Sequence, residues 1–368
     1  MLFAVGARFE HVVPRHEARQ AMSADIEHTQ GAVEFDQRLL DDHLRDRIDG
    51  LRGTMRMERI HGGQSNPTFF VSYDNRRLVL RKQPPGTLLP SAHAVDREYR
   101  ILTALAATDV PVPKALFFHA EKDVVGTPFY VMDRLEGRVF NDCSMPGVPP
   151  AERRIMTLAL AEMMARLHRV DWAALGLADY GRPGNYFARQ ITRWSRQWEI
   201  SKTRELPDVE KLIAWLPKNM PESDLTSIVH GDFRLNNLIF HPTEPEVVGV
   251  LDWELSTLGH PLADAAYSAL TWRLTPADYV GIGGLDLAAL GIPSEQEFLE
   301  HYYALAPQTG RVTPFHTAFS LFRLAVIFEG IADRARQGIA SSDNAGRVGR
   351  LSEVFARRGV EVLEEHPL

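Results

Sequence analysis

Two short polar stretches with a fixed spacing lie between apolar segments in the second half of the chain. Residues 229–238 read VHGDFRLNNL, and residues 250–254 read VLDWE. Asp232 and Asn237 are five residues apart, and Asp252 follows Asn237 by fifteen residues. A polar turn that closes a hairpin could explain a lone His-Gly-Asp sequence, but it explains the joint spacing of two carboxylates and an amide less well. The pattern therefore predicts a functional site, formed by two carboxylates and an amide, next to a short β segment.

The three side chains match the needs of phosphoryl transfer. One carboxylate receives the proton of an attacking hydroxyl, while an amide oxygen and a second carboxylate hold Mg²⁺ on the phosphates of the donor. Hard oxygen ligands are those that Mg²⁺ prefers. Asp232, Asn237 and Asp252 are thus the first candidate site residues.

We expect other polar residues in or near these stretches to have roles different from those three. We expect His230 to pack and hydrogen-bond within the loop instead of acting as the base. Asp264 lies at a predicted helix start, where it would serve as a cap or as an anchor for the loop. Glu254 could reach a second metal or the substrate, or it could face solvent, and the sequence does not decide between these positions.

The first half of the chain has the pattern of a small β-rich lobe. A helix is predicted from Asp36, and four residues form its apolar face: Leu39, Leu40, Leu44 and Ile48. Strands are predicted at 69–73, 78–82, 115–119 and 129–133. Glu98 falls on the apolar stripe of a helix predicted over 94–107, and a charge on a buried face needs a partner.

Two features of this lobe could contact phosphate. Residues 62–66 read GGQSN before a strand, and backbone amides of a Gly-rich turn can approach phosphate closely, so Gly63 and Ser65 are candidates. Residues 78–82 read LVLRK, on the strand where phosphoryl transfer needs a cation paired with a helix carboxylate, here Glu98. Side-chain alternation places Arg81 and Lys82 on opposite faces, so one of them is expected to point to solvent.

The sequence YVMDRLEG at 130–137 predicts a hinge, where the backbone between Asp133 and Leu135 would meet the adenine edge of a nucleotide. Beyond it, helical patterns prevail, at 155–167, 186–200, 295–305 and 315–334. We therefore predict an α+β protein with an N-lobe at 31–135 and a mostly helical C-lobe at 136–368. Residues 1–30 are polar and aperiodic, which indicates a disordered tail or an extension before a true start at Met22.

The composition of the chain limits which kinds of partner and which compartment we expect. The formal net charge is −7, whereas a nucleic-acid partner calls for a basic footprint. Cys143 is the single cysteine, so no internal disulfide can form, which is consistent with a reducing, cytoplasmic compartment. No uninterrupted apolar run approaches the length of a membrane span, and no membrane partner is expected.

The motif of His230, Gly231, Asp232 and Asn237, followed by Leu251-Asp252-Trp253, resembles the aminoglycoside/choline phosphotransferase family of the protein-kinase-like superfamily. The resemblance implies a bilobal fold with a small antiparallel β-sheet lobe and a large helical lobe. It implies that Asp232 is the catalytic base, that Asn237 and Asp252 bind Mg²⁺, and that ATP is the phosphate donor. Family members often carry Leu-Arg at the third strand, which favours Arg81 over Lys82 as the phosphate-binding cation.

Three further stretches narrow the resemblance: residues 80–93, 180–187 and 189–194. Together they are similar to the kinase domains that are fused to, or encoded near, acyl-CoA dehydrogenases and linked to 4-hydroxy fatty acid breakdown. The similarity covers roughly residues 55–340. It implies a free-standing kinase with a hydroxylated small-molecule substrate, such as a hydroxyacyl derivative, and a functional link to an acyl-CoA dehydrogenase.

Two alternatives stay open. An aminoglycoside or amino-alcohol phosphotransferase should bind its substrate with many acidic groups, yet residues 170–210 hold no dense acidic cluster. That segment instead carries aromatic and cationic residues: Tyr186, Phe187, Arg189, Arg193, Trp194 and Trp198. They suit an acyl chain with a carboxylate or a coenzyme A phosphate, although the aromatic rings could equally be helix-packing core. The other alternative is a pseudokinase that binds nucleotide or acyl ligand without turnover.

Overall fold

The computed structural model describes residues 35–60, 66–86, 94–338 and 345–365. The chain divides into two compact units. The first contains the described residues up to Thr103 together with Pro113–Arg134, and the second contains Ala104–Val112 and the described residues from Leu135 onward. The segment 104–112 therefore groups with the second unit, whereas the sequence placed it in the N-lobe. The predicted N-terminal extension, Gly63 and Ser65 all lie outside the described residues.

The first unit is built on one antiparallel sheet, as predicted. Its strands are β1 (Arg56–Arg59), β2 (Thr68–Ser72), β3 (Arg77–Lys82), β4 (Ala115–His119) and β5 (Phe129–Asp133). They are hydrogen-bonded in the order β1-β2-β3-β5-β4, and each neighbouring pair is antiparallel. The helices of this part of the chain are α1 (Gln37–Arg47) and α2 (Val95–Leu105).

Helix α1 covers one face of the sheet. Asp36 caps its first turn, since the carboxylate accepts a hydrogen bond of 2.8 Å from the backbone N–H of Arg38. Leu40 and Leu44 are fully buried among the apolar side chains of β2, β3 and β5. Leu39, which was assigned to the same face, is 45% exposed, because it lies one residue, about 100° of helix rotation, away from Leu40.

This helix also explains why one prediction for β3 is wrong. Arg81 and Lys82 do point to opposite faces, but both are inside the unit, with Lys82 only 4% exposed. Lys82 follows Leu78 and Leu80 along the face that α1 covers, and its Nζ donates a hydrogen bond of 2.6 Å to the carbonyl of Val125. Alternation identifies the two faces of a strand, whereas solvent exposure depends on what packs against each face.

The second unit is mostly helical. Its helices are α3 (Pro150–Arg169), α4 (Tyr186–Ser201), α5 (Pro207–Trp215), α6 (Leu262–Arg273), α7 (Leu287–Leu290), α8 (Glu295–Leu305), α9 (Pro314–Arg336), α10 (Ala345–Gly349) and α11 (Leu351–Glu365). Its strands are β6 (Ser227–Val229), β7 (Leu238–Phe240), β8 (Val247–Val250) and β9 (Thr257–Gly259). The strands form two antiparallel pairs, β6 with β9 and β7 with β8.

Helix α9 is the centre of this unit. It contacts α4, α6 and α11, and its residues from Phe315 to Ile331 are buried. Its length and hydropathy would suffice to cross a membrane, but 89% of its most apolar window is buried within the protein, as is typical of a core helix. The aromatic residues of α4 also belong to this core, since Phe187 contacts the rings of Phe315 and Phe319.

Candidate active site

The β7–β8 hairpin sets the spacing of the polar motif. Leu238 pairs with Val250, and the N–H of Leu251 donates a hydrogen bond of 2.8 Å to the carbonyl of Asn237. Asn237 is thus the last residue before β7. Asp252 is the residue after Leu251, whose N–H bonds to the Asn237 carbonyl. The fourteen residues between the two predicted metal ligands contain the hairpin, and the backbones on either side of it meet at its open end.

Asp264, at the start of α6, holds the loop that follows β6. Its carboxylate accepts hydrogen bonds from the backbone N–H groups of His230 (2.6 Å) and Gly231 (2.9 Å). Burial opposes ionisation of this carboxyl, but the hydrogen bond and charge of His168, together with the backbone hydrogen bond from His230, outweigh that effect and lower its pKa. Asp264 is the anchor that the sequence suggested, and it is not the helix cap, which is Pro261.

Gly231 is required by this anchored loop. Its φ is +85°, in the left-handed region that favours glycine. A Cβ atom at this position would lie 2.9 Å from the carbonyl oxygen of Leu255 and 3.0 Å from its Cβ. Both the backbone conformation and the close approach therefore exclude a side chain between His230 and Asp232.

His230 is a fully buried hydrogen-bonding residue, as expected. Its Nδ1 accepts the backbone N–H of Asp232 at 3.2 Å, and its Nε2 lies 2.7 Å from the carbonyl oxygen of Leu251. Since a carbonyl can only accept and a backbone N–H can only donate, Nε2 is the donor and Nδ1 the acceptor of this ring. The ring therefore connects the loop of Asp232 to the strand end that carries Asp252.

The Asp232 carboxylate is 6% exposed and has three side-chain partners. Its Oδ1 accepts a hydrogen bond of 2.5 Å from the Tyr267 hydroxyl and lies 3.1 Å from the Arg234 guanidinium. Its Oδ2 accepts one bond, of 3.1 Å, from the amide of Asn237. A carboxylate has about four acceptor sites, so Oδ2 is the oxygen that can still accept a proton or a hydroxyl.

Sequence reasoning missed both Arg234 and Tyr267. Burial works against the charge of Arg234, but the neighbouring Asp232 carboxylate outweighs it and raises the pKa of the guanidinium. Burial and the same carboxylate raise the pKa of Tyr267, so its hydroxyl stays protonated and is the donor. The position of Arg234 two residues after Asp232 was a usable signal, whereas nothing in the sequence distinguished Tyr267 from other helical tyrosines.

Asp252 has an unusual backbone for a residue with a side chain. Its φ is 65° and its ψ is 60°, the left-handed conformation that aspartate tolerates better than most residues. Such strain persists where the surrounding structure fixes it, often at functional sites. Here Trp253 donates its indole N–H to the carbonyl of Val250 at 3.0 Å, which closes the turn around Asp252.

The donor set fits Mg²⁺. Asn237 uses its amide nitrogen on the Asp232 backbone carbonyl (2.8 Å) and on the Asp232 carboxylate, which leaves its Oδ1 as the atom for a cation. Within the described ranges, no three His, Cys, Asp or Glu side chains form a metal-binding group. A site with few protein ligands is usual for Mg²⁺, because the ion is commonly held by one or two carboxylates together with water and substrate phosphates.

In the first unit, Glu98 of α2 is the centre of a buried polar cluster. Arg81 Nε lies 2.8 Å from Glu98 Oε2, so the predicted ion pair is present. Asn66 Nδ2 donates to Oε1 at 2.7 Å, and the Tyr130 hydroxyl donates to Oε2 at 3.0 Å. Three donors thus surround the 2% exposed carboxylate, which fixes the direction of Arg81.

The predicted adenine contacts lie at the end of β5. The Asp133 carboxylate accepts hydrogen bonds from Arg76 at 2.9 and 3.2 Å, and its backbone N–H donates to the carbonyl of Lys114. In the second unit, the side chain of Leu135 packs against Gly249, where a Cβ would lie 2.3 Å from Leu135 Cδ1. The role of Asp133 and Leu135 in binding adenine stays a prediction.

Comparison with known proteins identifies the relatives of this chain. The model of the phosphotransferase enzyme family matches residues 56–301. Acyl-CoA dehydrogenase family member 10 of Mus musculus is 42% identical over 345 residues, which are 89% of this chain and 32% of that protein. Acyl-CoA dehydrogenase family member 11 of Rattus norvegicus is 38% identical over 339 residues, 89% of this chain and 43% of that protein. The chain thus spans less than half the length of these two relatives.

Solved structures agree with the fold. A Ralstonia eutropha protein that carries the name of an aminoglycoside phosphotransferase is 43% identical, with a TM-score of 0.82 over 90% of this chain and 99% of that one. Aminoglycoside phosphotransferase APH(4)-Ia, in a ternary complex with AMP-PNP and hygromycin B, is 14% identical. Its TM-score is 0.56 over 87% of this chain and 98% of that one, which supports the fold alone.

The resemblance inferred from the His-Gly-Asp motif is therefore confirmed, as is the α+β, kinase-like fold. The family match covers more than half of the chain, and the similarity to acyl-CoA dehydrogenase family members extends over 89% of it. This chain belongs to the phosphotransferase enzyme family, and it is similar to part of acyl-CoA dehydrogenase family members 10 and 11.

Proposed function

We propose that this protein transfers the γ-phosphoryl group of ATP to a hydroxyl group of a hydroxyacyl or hydroxy fatty acid derivative. The single observation that carries the proposal is the Asp232 carboxylate, which is buried, has both contacts from Tyr267 and Arg234 on Oδ1, and accepts one hydrogen bond at Oδ2. Family membership supports the reaction class, and the AMP-PNP complex of APH(4)-Ia supports ATP as the donor.

Asp232 acts as the general base in this proposal. The acceptor hydroxyl hydrogen-bonds to Oδ2, and its oxygen attacks the γ-phosphorus while the bond to the bridging oxygen of ADP breaks. The hydroxyl proton passes to Oδ2, so the products are ADP and the phosphorylated acceptor. Tyr267 and Arg234 are positioning residues, because they hold Oδ1 and thereby fix the direction of Oδ2.

Asn237 and Asp252 would hold Mg²⁺ through Asn237 Oδ1 and the Asp252 carboxylate. When bound, the ion neutralises charge on the transferring phosphates. The anchored hairpin fixes both residues relative to Asp232, through the Leu251–Asn237 backbone bond and the His230 ring. In the first unit, Glu98 orients Arg81, the cation that we assign to the phosphates.

The acceptor class rests on the relatives. Two of them are named as acyl-CoA dehydrogenase family members, and the matched region covers less than half of each. The kinase reaction would then supply a phosphorylated acyl intermediate to a dehydrogenase-linked sequence of reactions. The aminoglycoside names among the structural neighbours make antibiotic phosphorylation the competing outcome.

The test is a turnover assay with ATP and Mg²⁺ over a panel of hydroxyacyl derivatives, free hydroxy acids and aminoglycosides. We expect transfer to a hydroxyacyl acceptor, and loss of about 10²–10⁴-fold in the rate for Asp232→Asn, since general-base catalysis contributes that much. Asp252→Asn keeps an αL-tolerant side chain but removes the charge, so it should also weaken Mg·ATP binding. Asp286→Asn, on an exposed helix cap of the same unit, is the charge-matched control.

Three results would contradict the proposal. Full turnover by Asp232→Asn on a confirmed acceptor would exclude the assigned base. Transfer to aminoglycosides alone would show that the acceptor is an aminoglycoside and not a hydroxyacyl derivative. A wild type that binds ATP but transfers phosphate to no hydroxyl in the panel would favour the pseudokinase alternative.

A further inference from the structure

A groove of about 610 Å³ follows the outer face of α4, within the second unit. Seven residues between Ala188 and Ile200 line it, three of them arginines: Arg189, Arg193 and Arg196. None of these seven described lining residues is acidic. We call this feature the arginine groove.

The sequence pattern of α4 separates its two faces. The aromatic residues Tyr186, Phe187, Trp194 and Trp198 are buried, so these rings belong to the helix-packing core, which was one of the two interpretations of the segment. The three arginines occupy positions i, i+4 and i+7, which share one face of a helix. At 1.5 Å per residue they extend over about 10 Å along the axis.

The guanidinium groups are partly oriented before any ligand binds. Arg193 lies 5.5 Å from the centre of the Trp194 ring, within cation–π distance. Arg189 donates to the backbone carbonyl of Arg182. Loss of hydration lowers the pKa of both Arg193 and Arg189, and the charges of Arg323 and Arg182, respectively, lower it further. A bound anion would reduce the electrostatic repulsion among these guanidinium groups.

The arginine groove adjoins the loop of Asp232 through Arg323 of α9. This side chain is 8% exposed, and its guanidinium donates a hydrogen bond of 2.6 Å to the carbonyl of Gly231, next to Asp232. The same guanidinium lies 5.9 Å from the Trp194 ring and 5.7 Å from the Tyr267 ring. Positive charge therefore continues from α4 to the residue beside the base.

We propose that the arginine groove binds phosphate groups on the acceptor, so that a polyphosphate handle on the acyl substrate positions its hydroxyl at Asp232. The inference rests on the proposed function and deepens it. Guanidinium groups bind phosphate oxygens in bidentate fashion, and three of them over about 10 Å suit several phosphates better than one carboxylate. The exposed side chain of Ile200 offers apolar contact at the end of the groove.

The positive charge of this groove would also favour some classes of acceptor over others. An aminoglycoside carries several ammonium groups, which three arginines would repel. A free hydroxy acid carries one carboxylate and could engage only part of the groove. A hydroxyacyl coenzyme A thioester carries several phosphates on the side of the thioester opposite to the acyl chain, so it can engage all three arginines while its hydroxyl is elsewhere.

The experiment is calorimetric titration without ATP, so that binding is measured independently of turnover. The probes are a hydroxyacyl coenzyme A thioester, the free hydroxy acid and its uncharged methyl ester. The groove variants are Arg193→Gln and Arg196→Gln. Arg311→Gln is the control, because it removes the same charge from an exposed arginine that pairs with Glu300 outside the groove. Thermal melting of each variant verifies that it is folded.

We expect the thioester to bind the wild type most tightly of the three probes. Each groove substitution should weaken its binding about tenfold or more, as for loss of a charge-assisted contact, and the methyl ester should be unaffected. Arg311→Gln should bind like the wild type.

Thioester binding that is undetectable in the wild type, or unchanged in both groove variants, would overturn the inference even if the enzyme phosphorylates hydroxyacyl acceptors. Conversely, groove-dependent binding without any turnover would support the groove and refute the proposed kinase reaction. Preference for the free acid, lost in the groove variants, would also overturn the inference, since the anion would be a carboxylate.

Discussion

Replacing Tyr267 by phenylalanine removes one hydrogen bond from the proposed base and little else. The hydroxyl donates to Asp232 Oδ1 at 2.5 Å, while Arg234 stays 3.1 Å from the same oxygen. Because phenylalanine keeps the ring, the packing of α6 is retained. The ionised carboxylate therefore loses stabilisation and the protonated form loses much less.

The size of the effect follows from the charge on the acceptor. A hydrogen bond to a charged group contributes about 1.5–3 kcal/mol, and 1.36 kcal/mol corresponds to one pH unit. The acidic limb of the pH profile of kcat/KM should therefore move upward by about 1–2 pH units in Tyr267→Phe. The direction is upward because a higher pH is then needed to form the ionised base.

The assay is the rate of acceptor phosphorylation from about pH 5 to 9 at limiting substrate, where the limb reports on the free enzyme. Tyr279→Phe is the matched control, because its hydroxyl accepts from Arg234 at 3.1 Å and does not contact Asp232. We expect its limb to move much less. A limb that stays in place in Tyr267→Phe, or that moves equally in both variants, would refute the assignment of Tyr267 as a positioning residue.

Three further outcomes concern stability, measured by urea denaturation. Asp264→Asn should lower the free energy of unfolding by about 1–3 kcal/mol, because an amide NH₂ would face one of the two loop N–H groups; an unchanged value would show that the anchor is dispensable. Glu98→Ala should cost about 3–5 kcal/mol, since it leaves Arg81, whose side chain is only 16% exposed, without this partner; a cost below 1 kcal/mol would contradict the pairing. Burial is the main cause that lowers the pKa of His260 to about 4 and of His316 to about 3, so both stay neutral when folded. The unfolded chain takes up these protons below pH 6.5, so stability should fall by up to about 1.4 kcal/mol per pH unit for each histidine between pH 6.5 and 4.5. Equal stability at pH 7 and 5 would contradict this.

The sequence by itself determined the local elements of the site. The spacing of Asp232, Asn237 and Asp252 predicted a polar site next to a short β segment, because short apolar runs with a two-residue side-chain period are local properties. The ion pair of Arg81 and Glu98 was also predictable, since a carboxylate on the apolar stripe of a helix needs a cation. These inferences require no knowledge of what lies far away in the chain.

Burial from distant segments was decided only by the tertiary structure. Lys82 is buried because α1, more than thirty residues earlier, covers its face of the sheet. The short strands β6 and β9 were not predicted, because three-residue segments carry almost no periodic signal and form only when paired. The 104–112 segment groups with the second unit through contacts such as the backbone bond from Val250 to Pro111.

The surroundings of the base show the same limit. Tyr267 reaches Asp232 from a helix 35 residues later, and Arg323 reaches Gly231 from 92 residues later. In the sequence, Tyr267 is one tyrosine in an apolar helix, and Arg323 is one charge in a helix that is otherwise core. Their partners come from the packing of α6 and α9 around the loop, since a buried polar group is stable only where distant chain segments supply its hydrogen bonds.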